Sequence, residues 1–118
     1  MSRRYVLGID IGGTNVVAGC VSEDGSALHG LRSEPTVAEK GADDVIERIL
    51  RLAHAAMDET RAVDRQAEIV GVGIGAPGPL DTRRGIVLLT PNLGWRNMPL
   101  RDRVGGPAAA RNMAIRSA

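Results

Sequence analysis

The stretch LGIDIGGTN, residues 7–15, decides how this chain is read. Leu7, Ile9 and Ile11 alternate with Gly8 and Asp10, the period of a strand with one face toward a core. Tyr5 continues that face upstream, so a strand is expected over residues 4–11. It ends in a carboxylate, Asp10, followed by Gly12, Gly13 and Thr14. Glycine admits positive φ, so GGTN is turn chemistry. A carboxylate flanked by apolar residues faces desolvation unless it is paired or bound to a cation. Consecutive N–H groups in such a turn can form a concavity for anions. The pair therefore suits a metal–phosphate ligand: N–H groups take phosphate oxygens, and the acid holds Mg²⁺ directly or through water. The same residues also suit an Asp capping its own hairpin turn, because short turn motifs recur by chance.

Working outward, VVAGCVS (16–22) reads as a second strand and EDGS (23–26) as an Asp-Gly hairpin turn. ALHGLRSEP (27–35) supplies a third, more polar strand ended by Pro35. A helix is expected over residues 42–60, where Val45, Ile46, Ile49, Leu52, Ala53, Ala56 and Met57 recur at helical spacing. Asp43 and Asp44 lie in its first turn, where acidic groups favour the dipole. His54 falls at its edge with no partner placed to orient it, which suits a surface residue. EIVGVGIGAPG (68–78) reads as a strand entering a Gly-Pro loop, and GIVLLTPNLGW (85–95) as a short strand before a second loop. NMPLRDRV (97–104) opens a helix near Pro99. No strand pattern is visible in GGPAAARNMAIRSA (105–118). Three strands, a helix and a strand make an α/β arrangement whose opening meander gives a mixed sheet.

Composition narrows the function classes. The 118 residues are 43% hydrophobic and 25% charged, an ordinary globular balance. A net charge of +1 excludes the electrostatic footprint of a nucleic-acid or membrane-surface binder. Tyr5 and Trp95 are the only large aromatics, which leaves no stacking platform for bases. The single cysteine, Cys20, cannot form an intrachain disulfide, fits a reducing compartment, and suits a small buried hydrophobe. The N-terminus has too short an apolar run for a signal peptide or membrane span, so a cytoplasmic location is expected.

Two further stretches bear on chemistry. GVGIGAPGPLD (71–81) formally holds G-x-G-x-x-G at residues 73–78. That pattern signals dinucleotide binding only when a strand leads through it into a helix. Here Pro77, Gly78 and Pro79 follow and then DTRRG, so a stiff pocket-wall loop fits better. No Walker A lysine pattern occurs. In TPNLGW (90–95), Asn92 offers a donor and an acceptor to a hydroxyl-rich ligand. A turn Asn beside a core Trp95 accounts for the same residues.

Taken together, LGIDIGGTNVVAGCVSEDG and VGIGAPGPLDTRRGIVLLTPNLGWRNMPLRDRV resemble the ROK family of sugar kinases and sugar-responsive repressors, most closely its bacterial glucokinases. The resemblance covers roughly residues 4–104. It implies a ribonuclease-H-like (actin/hexokinase-type) ATPase domain with a five-stranded mixed sheet. It also implies transfer of the ATP γ-phosphoryl group to the 6-hydroxyl of glucose or a related hexose, an early step of carbohydrate metabolism. Asp10 would match the Mg²⁺-associated acid, Gly12, Gly13 and Thr14 the first phosphate loop, and Gly78 and Asn92 the sugar-side wall.

The family pattern stops short. In ROK kinases a fifth strand ends in an acidic–Asn–Asp segment whose Asp is the general base, followed by a Cys-rich zinc motif, a Glu-x-x-His and an adenosine-binding second domain. None is visible after Val104. The expectation is a partial N-terminal domain over residues 1–104, incomplete at its C-terminal side, with 105–118 as a divergent, frame-shifted or disordered tail. No catalytic base is expected on this chain, and the fourth strand is expected to present an open edge. Family members are often homodimers. Two other readings stand: a sugar-responsive regulator, for which no winged helix precedes residue 10, and a sugar- or nucleotide-binding half completed by another chain.

Overall fold

The computed structural model describes the backbone of residues 3–109 and 113–117, and side chains through residue 105. The meander forms as the alternation requires. β1 (Arg3–Ile11), β2 (Asn15–Ser22) and β3 (Leu28–Pro35) are joined antiparallel, with Leu7 opposite Cys20 and Ile9 opposite Ala18. Tyr5, Leu7, Ile9 and Ile11 are all buried on one face. The hairpin between β1 and β2 is the GGT turn. The one between β2 and β3 is held by Asp24, whose carboxylate accepts from the Ser26 N–H at 2.9 Å and from the Ser22 hydroxyl at 2.8 Å.

Helix α1 (Ala42–Val63) then crosses the sheet with Val45, Ile46, Ile49, Leu52, Ala53 and Ala56 buried against it. Each large aliphatic side chain removed from water contributes about 1.5–3 kcal/mol, so this face binds the layers together. The exposed His54 sits at the helix edge, and Cys20 is fully buried, as the sequence suggests. No described helix is long and apolar enough to cross a membrane.

β4 (Ala67–Ala76) returns parallel to β1. Its alternation carries a fault: Ile69 and Val72 are three apart, yet both pack against the core. A register shift explains this. Tyr5 lies opposite Ile69 and Val6 opposite Gly71, so Val70 is the extra residue of a bulge.

A small antiparallel sheet follows, made of β5 (Leu80–Asp81), β6 (Ile86–Thr90) and β7 (Trp95–Met98). Only the β6 segment is visible as a strand in the sequence. β5 and β7 are too short to show a period. Helix α2 spans Leu100–Ala109.

The chain departs from expectation at its end. Residues Met113–Ser117 form β8, parallel to β4, with Val72 opposite Met113 and Ala76 opposite Ser117. The main sheet among the described residues is thus five-stranded, in the order β3-β2-β1-β4-β8, and β4 is an inner strand. The five residues MAIRS are too few to show a strand period against Ala- and Arg-rich neighbours. Pairing with a partner strand decides such segments more than propensity does. The rest of the expected tail, residues 110–112 and 118, lies outside the described residues.

Across the sheet from α1, the other face carries exposed Val6, Val21, Leu28 and Leu31. On β3 itself, the register shifts at Gly30, whose φ is +69°. A Cβ there would run into the backbone of Ala56 on α1, so strand and helix approach backbone to backbone. Gly30→Ala combines a left-handed backbone with overpacking and is expected to cost about 3 kcal/mol. Urea unfolding checks this, and an unchanged midpoint would show that β3 can move off α1 at no cost.

The β2–β3 turn gives a pH prediction. Hydrogen bonds from the Ser26 hydroxyl, the Ser26 N–H and the Ser22 hydroxyl hold the Asp24 carboxyl down at about 2, against its usual 3.8. A carboxyl depressed in the fold favours the folded state while ionised. Its contribution is present above 3.8 and is lost as pH falls toward about 2. Between about pH 5 and 2, wild-type stability in urea is expected to fall more steeply than that of Asp24→Asn. Parallel curves would dissociate the turn from acid unfolding.

Candidate functional site

The parallel pairing of β1 with β4 puts the C-terminal ends of both strands side by side, with Asp10 opposite Gly75. From β1 the chain moves outward to β2 and β3, and from β4 it moves the other way to β8. The strand order therefore reverses between β1 and β4. In open α/β sheets ligands lodge at such a point, beyond the carboxyl ends of the strands.

Three loops meet there. The first is the turn after β1. Gly12 is half-buried, and Gly13, Thr14 and Asn15 are exposed. The turn is closed by the Gly12 N–H, which donates to the Asn15 carbonyl at 2.9 Å. That differs from the simple expectation of a run of open N–H groups: Gly12 spends its own on the turn. The N–H groups of Gly13 and Thr14 have no partner among the described residues.

The second loop is the hairpin tip between β6 and β7. Its Leu93 N–H donates to the Thr90 carbonyl at 3.1 Å, and Leu93 and Trp95 are buried beneath it. That anchoring leaves Asn92 exposed and puts it against Gly13. A Cβ built on Gly13 would lie 3.4 Å from Cβ of Asn92 and 3.8 Å from its amide nitrogen. Residues 79 positions apart in the sequence are in van der Waals reach.

The third is the loop after β4. Gly78 has φ +87°, and a Cβ there would strike the carbonyl of Leu89 on β6 and come within 3.2 Å of the Thr90 methyl. Gly78 is thus required for the loop to lie on the hairpin. The G-x-G-x-x-G match leads into this loop and β5 and not into a helix, so the dinucleotide reading fails on geometry.

Asp10 differs from its expected setting. It is exposed, because it belongs to the face of the sheet opposite α1, together with Gly8 and Val17. Its flanking residues Ile9 and Ile11 point to the other face and are buried. Desolvation therefore does not force a partner on it, and its charge is free to meet a cation in solution. Among the described residues no three His, Cys, Asp or Glu side chains stand together as a metal cage. Mg²⁺ needs none: one or two carboxylates plus phosphate oxygens and waters suffice. Asp10 beside the turn fits that role.

A separate apolar cavity of about 300 Å³ opens between α1 and β4, lined by Leu50, Ala53, His54, Met57, Ile69 and Val104 among others. Its polar lining is His54 and Arg61, and Arg61 is paired with Asp58 at 3.8 Å. The buried residue that the sequence reading passes over is Thr36. It hydrogen-bonds the turn after β1 through both its hydroxyl and its N–H. Only its place directly after the strand-ending Pro35 marks it in the sequence.

Because Gly78 locks the loop after β4 onto β6, Gly78→Ala is expected to cost about 3 kcal/mol and to loosen the hairpin that carries Asn92. Denaturant unfolding, together with amide exchange at residues 90–94, checks this. Wild-type behaviour in both would show that the loop is not held there.

The family model described as "ROK family" matches residues 6–108. A glucokinase of Thermotoga maritima is 39% identical over 103 residues, which cover 86% of this chain and 30% of that protein. Among solved structures, a ROK hexokinase from Thermus thermophilus superposes with a TM-score of 0.76 at 32% identity over 96% of this chain and 35% of its own. A ROK family glucokinase from Streptomyces griseus, solved in complex with glucose and AMPPNP, superposes with a TM-score of 0.72 at 30% identity over 96% of this chain and 33% of its own. The chain therefore spans about a third of the length of these relatives.

Proposed function

Because this chain belongs to the ROK family, we propose that it supplies the phosphate-loop and sugar-wall side of an ATP-dependent sugar kinase, with glucose or a related hexose as acceptor. The observation that carries this is the close approach of Asn92 to Gly13, in the turn that follows Asp10 at the strand-order reversal. That end of the sheet then offers a carboxylate, two N–H groups without partners among the described residues and a side-chain amide. A nucleoside triphosphate next to a sugar calls for those groups.

The roles follow from the chemistry of each. The N–H groups of Gly13 and Thr14 receive phosphate oxygens. Gly12 shapes the turn through its bond to Asn15. Asp10 holds Mg²⁺, directly or through water. That ion would neutralise charge on the phosphates during transfer. Asn92 donates to one sugar hydroxyl and accepts from another, while Gly78 keeps the neighbouring wall clear. Among these six residues only Asp10 carries a carboxylate, and it serves the cation. The base that takes the hydroxyl proton, typically worth 10²–10⁴-fold, therefore lies outside them. These residues bind and position, which is the larger part of phosphoryl-transfer catalysis.

Amide NMR of the ¹⁵N-labelled chain tests the reading. Mg·AMPPNP is expected to shift Gly13 and Thr14, and glucose to shift Gly78 and Asn92. Asp10→Asn is expected to weaken Mg·AMPPNP by tenfold or more, in keeping with a lost charge-assisted contact, and to abolish its Mg²⁺ dependence. Unchanged affinity in that variant, or shifts confined to the far end of the sheet, would overturn the proposal.

A further inference from the structure

Thr36 is fully buried, yet it is polar and belongs to none of the motifs above. Its hydroxyl donates to the Gly12 carbonyl at 2.7 Å. Its backbone N–H donates to the Thr14 carbonyl at 2.8 Å. Pro35 ends β3 immediately before it. The next residue, Val37, takes the left-handed conformation with φ +52°. A β-branched residue adopts that conformation rarely and at a cost. The strain lies where the chain must turn from β3 toward α1 while keeping Thr36 against the turn.

The consequence lies in the planarity of the peptide bond. In a trans peptide the C=O and the following N–H point to opposite sides. Tying the Gly12 carbonyl to Thr36 therefore turns the Gly13 N–H away from Thr36, toward the exposed side of the turn. Tying the Thr14 carbonyl does the same for the peptide that follows it. Without these two bonds either peptide could flip. A flipped 12–13 peptide would offer its carbonyl oxygen where the Gly13 N–H now stands, and an oxygen dipole repels phosphate. Glycine on both sides of that peptide makes a flip easy, because neither residue has a Cβ to resist it.

We propose that Thr36 is a positioning residue of the phosphate turn: its hydroxyl locks the Gly12–Gly13 peptide with the N–H outward, ready for a phosphate oxygen. This rests on the reading of residues 12–14 as a phosphate turn. The hydroxyl is the operative group, since a valine would fill nearly the same volume without donating.

The test compares the wild-type chain with Thr36→Val and Thr36→Ser, using Mg·AMPPNP as probe and amide NMR as readout. Thr36→Val is expected to change the Gly13 resonance in the free protein and to weaken Mg·AMPPNP by about tenfold, the scale of one hydrogen bond. Thr36→Ser is expected to restore both to within about twofold, because it keeps the donor. Wild-type affinity in Thr36→Val, or a serine variant as weak as the valine one, overturns the proposal while leaving the phosphate turn standing. A wild-type chain in which Mg·AMPPNP moves neither Gly13 nor Thr14 overturns the phosphate reading and this proposal with it. Should Thr36→Val not fold, the wild-type chain still decides: the Thr36 hydroxyl proton is expected to exchange slowly with water, and rapid exchange overturns the lock.

Discussion

The parallel pairing of β1 with β4 is the constraint on which the rest of the structure depends. It joins two strands separated by the β2–β3 hairpin and a 22-residue helix, so α1 must carry the chain across the sheet between them. Burial drives it: Leu7 and Ile9 on β1 lie beside Val72 and Ile74 on β4, facing the apolar side of α1. The Val70 bulge keeps Ile69 and Val72 on the same face and lets the whole strand contribute to that core. Because the pairing is parallel, two chain exits open at one end of the sheet. The crevice is the space between those exits.

The crevice is then shaped by close approaches that leave no room for side chains. Gly78 brings the loop after β4 down onto the carbonyl of Leu89, and the β6–β7 hairpin is held from below by buried Leu93 and Trp95. Asn92 is thereby carried to the GGT turn. That turn is held from the other side by Thr36. None of these devices is itself reactive. They set where the few polar groups stand, and an exposed Asp10 can meet a cation without first paying for its own burial. Such a division suits a reaction in which positioning and charge neutralisation matter most.

The strands and the helix were legible because their periods are strong. The face made by Tyr5, Leu7, Ile9 and Ile11, and the stripe from Val45 to Ala56, admit one burial each. The elements that escaped are short or take their pairing from elsewhere. β5 has two residues and β7 four, and β8 lies in a segment whose own composition argues against a strand. Asp10 lies on the expected strand next to the GGT turn, but it is exposed where its apolar neighbours in sequence suggest desolvation. Alternation puts it on the face opposite Ile9 and Ile11, and whether that face is covered depends on the rest of the fold.

By itself, then, the sequence determined the α/β class, the meander, the helical face that builds the core and the three glycine-rich loops. All of these rest on interactions between near neighbours, or on backbone freedom that a single residue type confers. Only the tertiary structure decided that the three loops meet at one end of the sheet and that Thr36 sets the direction of the Gly13 N–H. Those outcomes depend on hydrogen bonds and contacts between residues 24 and 79 positions apart. No local pattern encodes such distances; they exist only after the sheet has closed on its helix.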